Sequence, residues 1–355
     1  MSVSKSGISW TDSTWSPIIG CTRVSEGCRN CFAERNAIRM AGPGGRYEGL
    51  VASHDGGPRW TGVVKFMPRD LDQPLRWKRP RRIFVNPMSD LFHEGLSDAQ
   101  IAAVFGVMAL APQHTFQVLT KRPRRMLEWF DSATRLRVGG WSGIIDPPPL
   151  VHPPTACVRS FHNFIGASER DIDPRVDLRV RAAIGAQWPL PNVWVGVSAE
   201  DQATLDARMP DLLRCPAKVR WVSLEPQLGP VDLRPWLPFD NLQWVVQGGE
   251  SGPRARPFHP GWAVDVIEAC KKAGVPYFFK QQGAWKPKSW GARAVDDLEW
   301  GTLSGGGKFW PLTTPWNGRT GDDSDDREEV MVRVGGHQSD PAEWPEAIRV
   351  QDFPA

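Results

Sequence analysis

Three cysteines near the amino terminus have a spacing that suits metal chemistry. Six residues separate Cys21 from Cys28 and two separate Cys28 from Cys31, while Gly20 and Gly27 allow the tight turns that bring thiolates together. A closed structural zinc site has four ligands, whereas a [4Fe–4S] cluster held by three cysteines leaves one iron open to a substrate or cofactor. The spacing predicts a metal site, and the number of cysteines favours an iron–sulfur cluster.

Zinc is the open alternative and needs a fourth ligand from elsewhere in the chain. His54, His93 and Cys270 are the candidates for that ligand. Cys157, Cys215 and Cys270 do not cluster in the sequence and are interpreted as ordinary buried or surface thiols. The amino terminus lacks the pattern of a secretion signal, so we expect a cytoplasmic protein, whose reducing compartment disfavours three disulfides.

The elements that must position these cysteines alternate between β-rich runs and helix-period segments, which is typical of βα units around a parallel sheet. The predicted strands are Ile83–Met88, Thr115–Thr120, Val193–Ser198, Val219–Leu224, Leu242–Gln247 and Pro276–Lys280, with weaker patterns at Ile8–Trp10 and Gly62–Phe66. The predicted helices are Asn30–Met40, Ser97–Leu110, Ala199–Leu213 and Pro260–Ala273. This order predicts an α/β fold, a TIM-like partial (β/α) barrel.

The barrel domain is predicted over residues 1–283, with an inserted segment at about 130–190 and an irregular C-terminal extension over 284–355. Gly- and Pro-rich stretches such as Gly139–Gly140 and Asp146–Pro149 interrupt the βα rhythm between Phe130 and Leu190. Beyond Gly283 the repeat is lost and the chain becomes rich in Gly, Asp and Trp. We expect this extension to pack on the barrel.

In such barrels the functional residues follow the C-terminal ends of the strands. Polar residues occupy every predicted strand end: Ser89, Asp90 and His93; Lys121 and Arg122; Ser198, Glu200 and Asp201; Glu225; Glu250 and Ser251; Gln281 and Gln282. A structural role is the alternative at some of these positions. Glu225 also suits a strand-end hydrogen-bond acceptor, and Lys121–Arg122 also suits a solvated helix start.

The composition adds weaker indications about partners. The net charge is +3, which is too small to identify a nucleic-acid binder by itself. Basic clusters at Arg76–Arg82 and Lys121–Arg125, together with 18 tryptophans, suit phosphates and stacked bases, although most tryptophans in proteins fill cores. No apolar run is long enough to span a membrane, so we expect no membrane partner.

The cysteine segment, followed at once by Phe32, resembles the radical S-adenosylmethionine (SAM) superfamily, which most often has three residues between its first two cysteines where this chain has six. Further segments resemble a phage-associated three-cysteine-motif family of the same radical-SAM-like type. They are Trp10–Asp12, Trp15–Pro17, Gly20–Thr22, Cys31–Arg35, Phe84–His93, Leu119–Pro123, Ser223–Pro226, Gly248–Gly252 and Phe279–Gln281. They span residues from about 8 to 285, apart from the insertion.

The resemblance implies that Cys21, Cys28 and Cys31 ligate three irons and that SAM binds the fourth. One electron then cleaves SAM to a 5′-deoxyadenosyl radical, which abstracts a hydrogen atom from a carbon of the substrate. SAM also needs charged and hydroxyl partners at several strand ends. The implied partners are Ser89 and Asp90 for its ammonium, Lys121 or Arg122 for its carboxylate, Ser198 and Glu200 for its ribose, and Glu225 and Glu250 as further contacts.

The resemblance also bears on the substrate and the partners. A phage association favours a nucleic-acid base, and we expect isomerisation or another modification of a hypermodified thymine in phage DNA, in the host cytoplasm if the protein is phage-encoded. An electron donor such as flavodoxin or ferredoxin is implied. Two alternatives stay open, namely a zinc-dependent nucleic-acid-binding protein without catalysis and a radical SAM enzyme acting on a small metabolite. No catalytic residue is assigned.

Overall fold

Seven parallel strands form the central sheet of the protein, seen in a computed structural model that describes residues 8–135, 153–166, 187–237, 242–287, 331–333 and 351–354. The strands are β1 (Ser13–Trp15), β2 (Arg82–Val85), β3 (Thr115–Thr120), β4 (Val193–Ser198), β5 (Val219–Leu224), β6 (Trp244–Gly248) and β7 (Tyr277–Gln281). Their spatial order is their chain order, and every neighbouring pair is parallel. The predicted α/β class is confirmed, and within the described residues the sheet is an open half-barrel with β1 and β7 at its edges.

Helices connect most of the strands. They are α1 (Phe32–Ala37), α2 (Asp98–Leu110), α3 (Pro123–Arg135), α4 (Pro153–Ile165), α5 (Gln202–Arg214) and α6 (Pro260–Ala273), with short 3-10 turns at Glu26–Cys28, Ile38–Met40, Pro68–Asp70 and Gln73–Arg76. Ser97 caps α2 in a reciprocal pair with Gln100, and Asp201 caps α5 in the same way with Thr204, so orphan backbone donors are satisfied where each helix begins. In the described part of the chain, no helix has the length and apolarity that crossing a membrane requires.

Tryptophans fill the concave side of the half-barrel. The Trp10 ring centroid lies 4.6 Å from that of Phe84 on β2 and 5.4 Å from that of Trp221 on β5. In a flat sheet, three strand spacings would separate β2 from β5 by roughly 14 Å. One indole contacts both strands, so the sheet is strongly curved. Trp221 and Trp244 are fully buried in the same cluster, which explains these tryptophans as core residues.

A glycine makes room for this tryptophan layer. Gly196 on β4 lies directly beneath the Trp221 indole, and a Cβ atom on Gly196 would stand 2.6 Å from three atoms of that ring system. The opposite, convex face of the sheet packs on the helices through aliphatic side chains such as Val195 and Val222. The two faces of each strand therefore build two separate apolar layers, as expected for strands covered on both sides.

Two weak strand predictions are wrong. Residues Ile8–Trp10 form a turn in which the Thr11 N–H donates to the Ile8 carbonyl, because Trp10 inserts into the interior, and the edge strand is Ser13–Trp15 instead. Within Gly62–Phe66 only Lys65–Phe66 is extended, and it pairs antiparallel with Ile18–Ile19 outside the main sheet. Gly62 has a φ of +90°, which an extended strand does not adopt.

The predicted insertion contributes a helix to the core. Helix α4 packs so closely on α2 that a Cβ on Gly106 would lie 2.3 Å from the Cys157 carbonyl oxygen, and Val158 and Phe161 are buried there. Residues 136–152 and 167–186 of the insertion, and most of the predicted extension, lie outside the described residues. Where the extension is described, Trp285–Pro287 pairs antiparallel with Met331–Arg333. Residues 351–354 pack on β7, where Gln351 bridges to Phe278.

The close contact between Gly196 and the Trp221 ring yields a stability prediction. We expect Gly196→Ala to lower the free energy of unfolding by about 1–3 kcal/mol, because the added methyl group overpacks the Trp221 ring. Gly42→Ala is the matched control, since a Cβ on Gly42 meets no atom within 4 Å. Urea unfolding followed by tryptophan fluorescence measures both variants. Equal stability of the two would contradict the close packing of Trp221 on β4.

Candidate metal and cofactor site

The segment from Gly20 to Cys31, called the cysteine loop below, lies over the carboxyl ends of the strands. Gly20 opens it with a φ of +87° and forms a bridge to Ser89, just beyond β2. A Cβ on Gly20 would stand 2.2 Å from the Val63 carbonyl oxygen, so the loop can begin here only with glycine. Cys21, Cys28 and Cys31 are free and partly exposed. The strand-end location expected for functional residues therefore includes the three thiols.

The three thiols are close enough to influence each other electrostatically. Burial, then Asp90, and then the thiols of Cys31 and Cys28 raise the pKa of Cys21 to about 12, against the opposing effect of Arg122. Burial likewise raises the pKa of Cys31. A bound metal deprotonates such thiols and makes them ligands. Among the described residues, no three His, Cys, Asp or Glu side chains form a group suited to a metal ion.

Arg122 holds the start of the cysteine loop. Its side chain is almost fully buried and donates to Asp90 at 2.9 Å, to Glu94 at 2.9 Å and to the Thr22 hydroxyl at 2.5 Å. Its Nη1 atom also lies 4.0 Å from Cys21 Sγ. Burial alone would lower the pKa of Arg122, but Asp90 and the Cys21 thiol raise it above its usual value. A permanent cation therefore stands beside the first cysteine.

Asp90 orients Arg122 and joins the ends of β2 and β3. Its carboxylate accepts from the Thr120 hydroxyl at 2.7 Å, from the Phe92 N–H at 3.0 Å and from the Lys121 N–H at 3.2 Å, besides Arg122. The neighbouring Ser89 hydroxyl donates to the Ile18 carbonyl at 2.8 Å. In this structure the two residues predicted to hold the SAM ammonium bind groups of the protein.

Glu200, just after β4, holds the middle of the cysteine loop. This fully buried carboxylate accepts from Lys121 Nζ at 3.0 Å, from Arg208 Nη1 at 2.9 Å and from the Gly27 N–H at 3.3 Å. Burial would raise its pKa, but Lys121 and Arg208 hold the pKa of Glu200 at about 2. A Cβ on Gly27 would lie 3.0 Å from both the carboxylate and Lys121 Nζ, so glycine permits this close approach next to Cys28.

Glu250, just after β6, holds the end of the cysteine loop. It is buried and accepts from Asn30 Nδ2 at 3.0 Å and from Arg256 Nη2 at 2.8 Å. Arg256 Nη2 also donates to the Glu26 carbonyl at 3.0 Å. Because Asn30 directly precedes Cys31, the third cysteine has its own carboxylate anchor.

The remaining predicted residues form a polar chain from β3 to β7. Lys121 Nζ donates to the Ser198 hydroxyl at 2.9 Å, and that hydroxyl donates to the Glu225 carbonyl at 3.1 Å. The Glu225 carboxylate accepts from Lys280 Nζ at 2.5 Å and from Gln281 at 3.0 Å. The structure thus brings Lys121, Ser198 and Glu225 together at one edge of the sheet.

Some residues of the site were not found from the sequence. Asn30, Arg208 and Arg256 anchor the loop but stand outside the strand ends. Arg208 carries a usable indication, because it occupies the buried face of α5 beside Leu205, where an arginine needs a partner. No comparable sequence pattern indicates Arg256, since it lies in a loop after β6.

The three candidates for a fourth zinc ligand have different surroundings. His93 Nδ1 accepts from the Gly95 N–H at 3.0 Å, and its Nε2 lies 3.0 Å from the Thr22 hydroxyl, so both ring nitrogens are engaged. Burial, and then Arg122, lowers the pKa of His93. Cys270 is fully buried in the apolar core, and His54 lies exposed on a turn.

The ion pairs of Glu200 give a pH-dependent prediction. We expect Glu200→Gln to lower the free energy of unfolding at pH 7 by about 3 kcal/mol, because two cations lose their buried partner. The pKa of Glu200 is depressed to about 2, so its contribution is complete above pH 4.5 and disappears as the pH falls through about 2.

Denaturant unfolding at pH 7, 4 and 3 measures this effect. The difference between wild type and Glu200→Gln shrinks as the pH falls. The control is Glu128→Gln, which removes an exposed pair with Arg124 and costs under about 1 kcal/mol at every pH. A difference that is constant with pH would show that the pKa of Glu200 is the same in the folded and unfolded states, which would contradict its two ion pairs.

Comparison with known proteins identifies the family. A family model described as a protein of unknown function, DUF5131, matches residues 5–344. No curated protein and no solved structure matches the chain. The matched range contains the cysteine loop, all seven strands of the sheet and the three anchors, while the resemblance to the radical SAM superfamily stays a prediction. The chain belongs to the DUF5131 family.

Proposed function

We propose that the protein is an iron–sulfur enzyme of the radical SAM type, with a [4Fe–4S] cluster held by Cys21, Cys28 and Cys31. One observation carries this proposal, namely that each cysteine has its own charged anchor at a strand end. Arg122 binds beside Cys21, Glu200 beside Cys28, and Glu250 beside Cys31. A loop fastened at three points presents its thiolates in one fixed arrangement, which a reactive cofactor requires.

The surroundings of the thiols suit a cluster better than a four-ligand zinc site. Both ring nitrogens of His93 are engaged within the protein, and Cys270 is in the apolar core, so the exposed His54 is the remaining candidate for a fourth ligand besides the three thiols of the loop. Arg122 Nη1 points at Cys21 Sγ. Hydrogen-bond donors and positive charge beside the sulfurs tune the potential of iron–sulfur clusters. The number of thiols on the loop and the guanidinium beside Cys21 therefore support a cluster with one open iron over a closed zinc site.

When bound, the cluster and SAM supply a carbon radical that abstracts hydrogen from the substrate. The protein's own residues orient the ligands and exclude water. Lys121 uses two of its three N–H donors on Ser198 and Glu200, which leaves one for a ligand carboxylate. Below these groups, Trp221 and Trp244 close the interior to solvent. A water-free site protects a radical from side reactions.

For the substrate, we propose a nucleic-acid base that carries an amino-acid adduct, such as a hypermodified thymine in phage DNA, which the enzyme isomerises or otherwise modifies. Glu225 and Lys280 support this choice, because they form a partly exposed ion pair at the edge of the sheet. A zwitterionic adduct can replace that pair, with its ammonium on Glu225 and its carboxylate on Lys280. The reaction draws one electron from a donor such as flavodoxin or ferredoxin, and we place the protein in the cytoplasm.

The ligand assignment is tested by removing one cysteine. We expect Cys28→Ala, purified without oxygen, to lose the iron and the broad absorption near about 400 nm that the wild type shows. Cys215→Ala is the control, because Cys215 is buried in the core and keeps the cluster ligands intact. Iron analysis and electron paramagnetic resonance measure both variants. Full iron content in Cys28→Ala, or a colourless wild type that contains zinc, would overturn the proposal.

The substrate is tested by product analysis. Reconstituted enzyme is incubated anaerobically with SAM, a reductant and phage DNA containing hypermodified thymine, and the digested nucleosides are examined by mass spectrometry. We expect one modified nucleoside to change and Glu225→Gln to slow that change. Unchanged nucleosides together with active SAM cleavage would reject this substrate and favour a small metabolite.

A further inference from the structure

The basic clusters that stand out in the sequence are neutralised to different extents in the structure, fully at Lys121–Arg125 and only in part at Arg76–Arg82. On α3, Arg124 pairs with Glu128 at 2.8 Å and Arg125 pairs with Asp98. In the other cluster, at the amino end of β2, Arg76 pairs with Asp72 at 2.6 Å and Arg82 with Asp12 at 2.9 Å. That cluster also lies at the edge of the sheet opposite the cysteine loop. A phosphate backbone bound beside the cysteine loop therefore needs a different surface.

Such a surface occurs beside the cysteine loop. Four arginines in this region have no carboxylate partner among the described residues: Arg35, Arg39, Arg59 and Arg254. They differ in this respect from Arg23, which is paired with Glu34 at 2.5 Å, and from Arg256, which is paired with Glu250. Among the described residues, these four guanidinium groups therefore carry positive charge that no carboxylate pairs with.

Two of these guanidinium groups meet at one turn. Short strands at Val51–Ala52 and Arg59–Trp60 pair in a hairpin, and Gly56 and Gly57 lie in its turn. Arg254 Nη1 donates to the Gly56 carbonyl, and Arg59 Nη2 lies 3.2 Å from the position of a Cβ on Gly56. Two guanidinium groups at one turn raise the local positive potential, which attracts an anion. The exposed Asp55 in this turn compensates only part of the charge.

Arg254 joins this turn to the cysteine loop, because its side chain contacts the turn and its carbonyl contacts the loop. Asn30 Nδ2 donates to the Arg254 carbonyl at 2.6 Å, as well as to Glu250. Asn30 precedes Cys31, and the aromatic ring of Phe32 that follows is 45 % exposed. A phosphate held by Arg254 at the turn is therefore linked through Asn30 to the third cysteine, and the neighbouring Phe32 ring is exposed and suited to stacking on a base.

We propose that Arg59 and Arg254 form a phosphate-binding site that holds a nucleic-acid backbone at the rim of the cysteine loop. This inference rests on the proposed function for its class of ligand, a nucleic acid. Phosphate contacts fix the register of a strand without reading its sequence, so this site positions a base and does not select it. Selection of the modified base is left to the groups at the strand ends.

The experiment measures binding of a fluorescein-labelled oligothymidylate to the full-length, cluster-loaded protein by anisotropy at several salt concentrations. We expect the double variant Arg59→Gln/Arg254→Gln to bind about tenfold more weakly at 0.1 M salt, with the slope of log K against log [salt] reduced by about 1.4. The matched control, Arg124→Gln/Arg125→Gln, removes the same charge from the paired cluster on α3 and keeps wild-type binding. Iron content and thermal unfolding verify that both variants are folded.

Wild-type binding by the Arg59/Arg254 variant, an equal loss in the control, or no binding of DNA by the wild type would each overturn the site. A protein without iron whose DNA binding still depends on Arg59 and Arg254 would support the phosphate site and refute the proposed radical chemistry. The two proposals therefore fail in different measurements.

Discussion

Buried carboxylates at the carboxyl ends of the strands require hydrogen-bond donors and cations from several distant segments of the chain. Glu200 is removed from water, so it remains ionised only because Lys121 and Arg208 both contact it. Such a group must be satisfied completely, and the Gly27 N–H takes part of its remaining capacity. The hydrogen bond that satisfies the buried Glu200 carboxylate therefore also fixes the position of the cysteine loop at Gly27.

The interior of the half-barrel has an apolar layer and a polar layer above it. Trp10, Trp221 and Trp244 make an apolar floor, and Lys121 and Glu225 stand above it at the open edge. A floor of large rigid rings costs little side-chain entropy and excludes water. The polar groups above it therefore act in a low dielectric, where each ion pair and hydrogen bond is stronger than in solvent.

Much of this arrangement follows from local pattern. The sequence predicts the strands Thr115–Thr120, Val193–Ser198 and Val219–Leu224 with the bounds that they have, because these short runs are rich in β-branched and aromatic residues. The pairing of strand-end side chains was not predictable, since Glu200 and Gly27 are 173 residues apart in sequence. Helix α4 is also not predicted from the sequence, because the Pro- and Gly-rich segments on either side of it obscure its helical pattern of apolar residues.

Arg82 and Phe353 form a cation–π contact, whereas neighbouring strands of the sheet are joined by backbone hydrogen bonds. The Arg82 guanidinium lies 4.2 Å from the Phe353 ring centroid, while Phe353 packs on Trp244 and Phe278. Phe353 thereby contacts β2 on one side and β6 and β7 on the other. Cation–π and aromatic contacts each contribute about 0.5–1.5 kcal/mol. The carboxyl-terminal residues therefore link the two flanks of the half-barrel at the end of the sheet away from the cysteine loop.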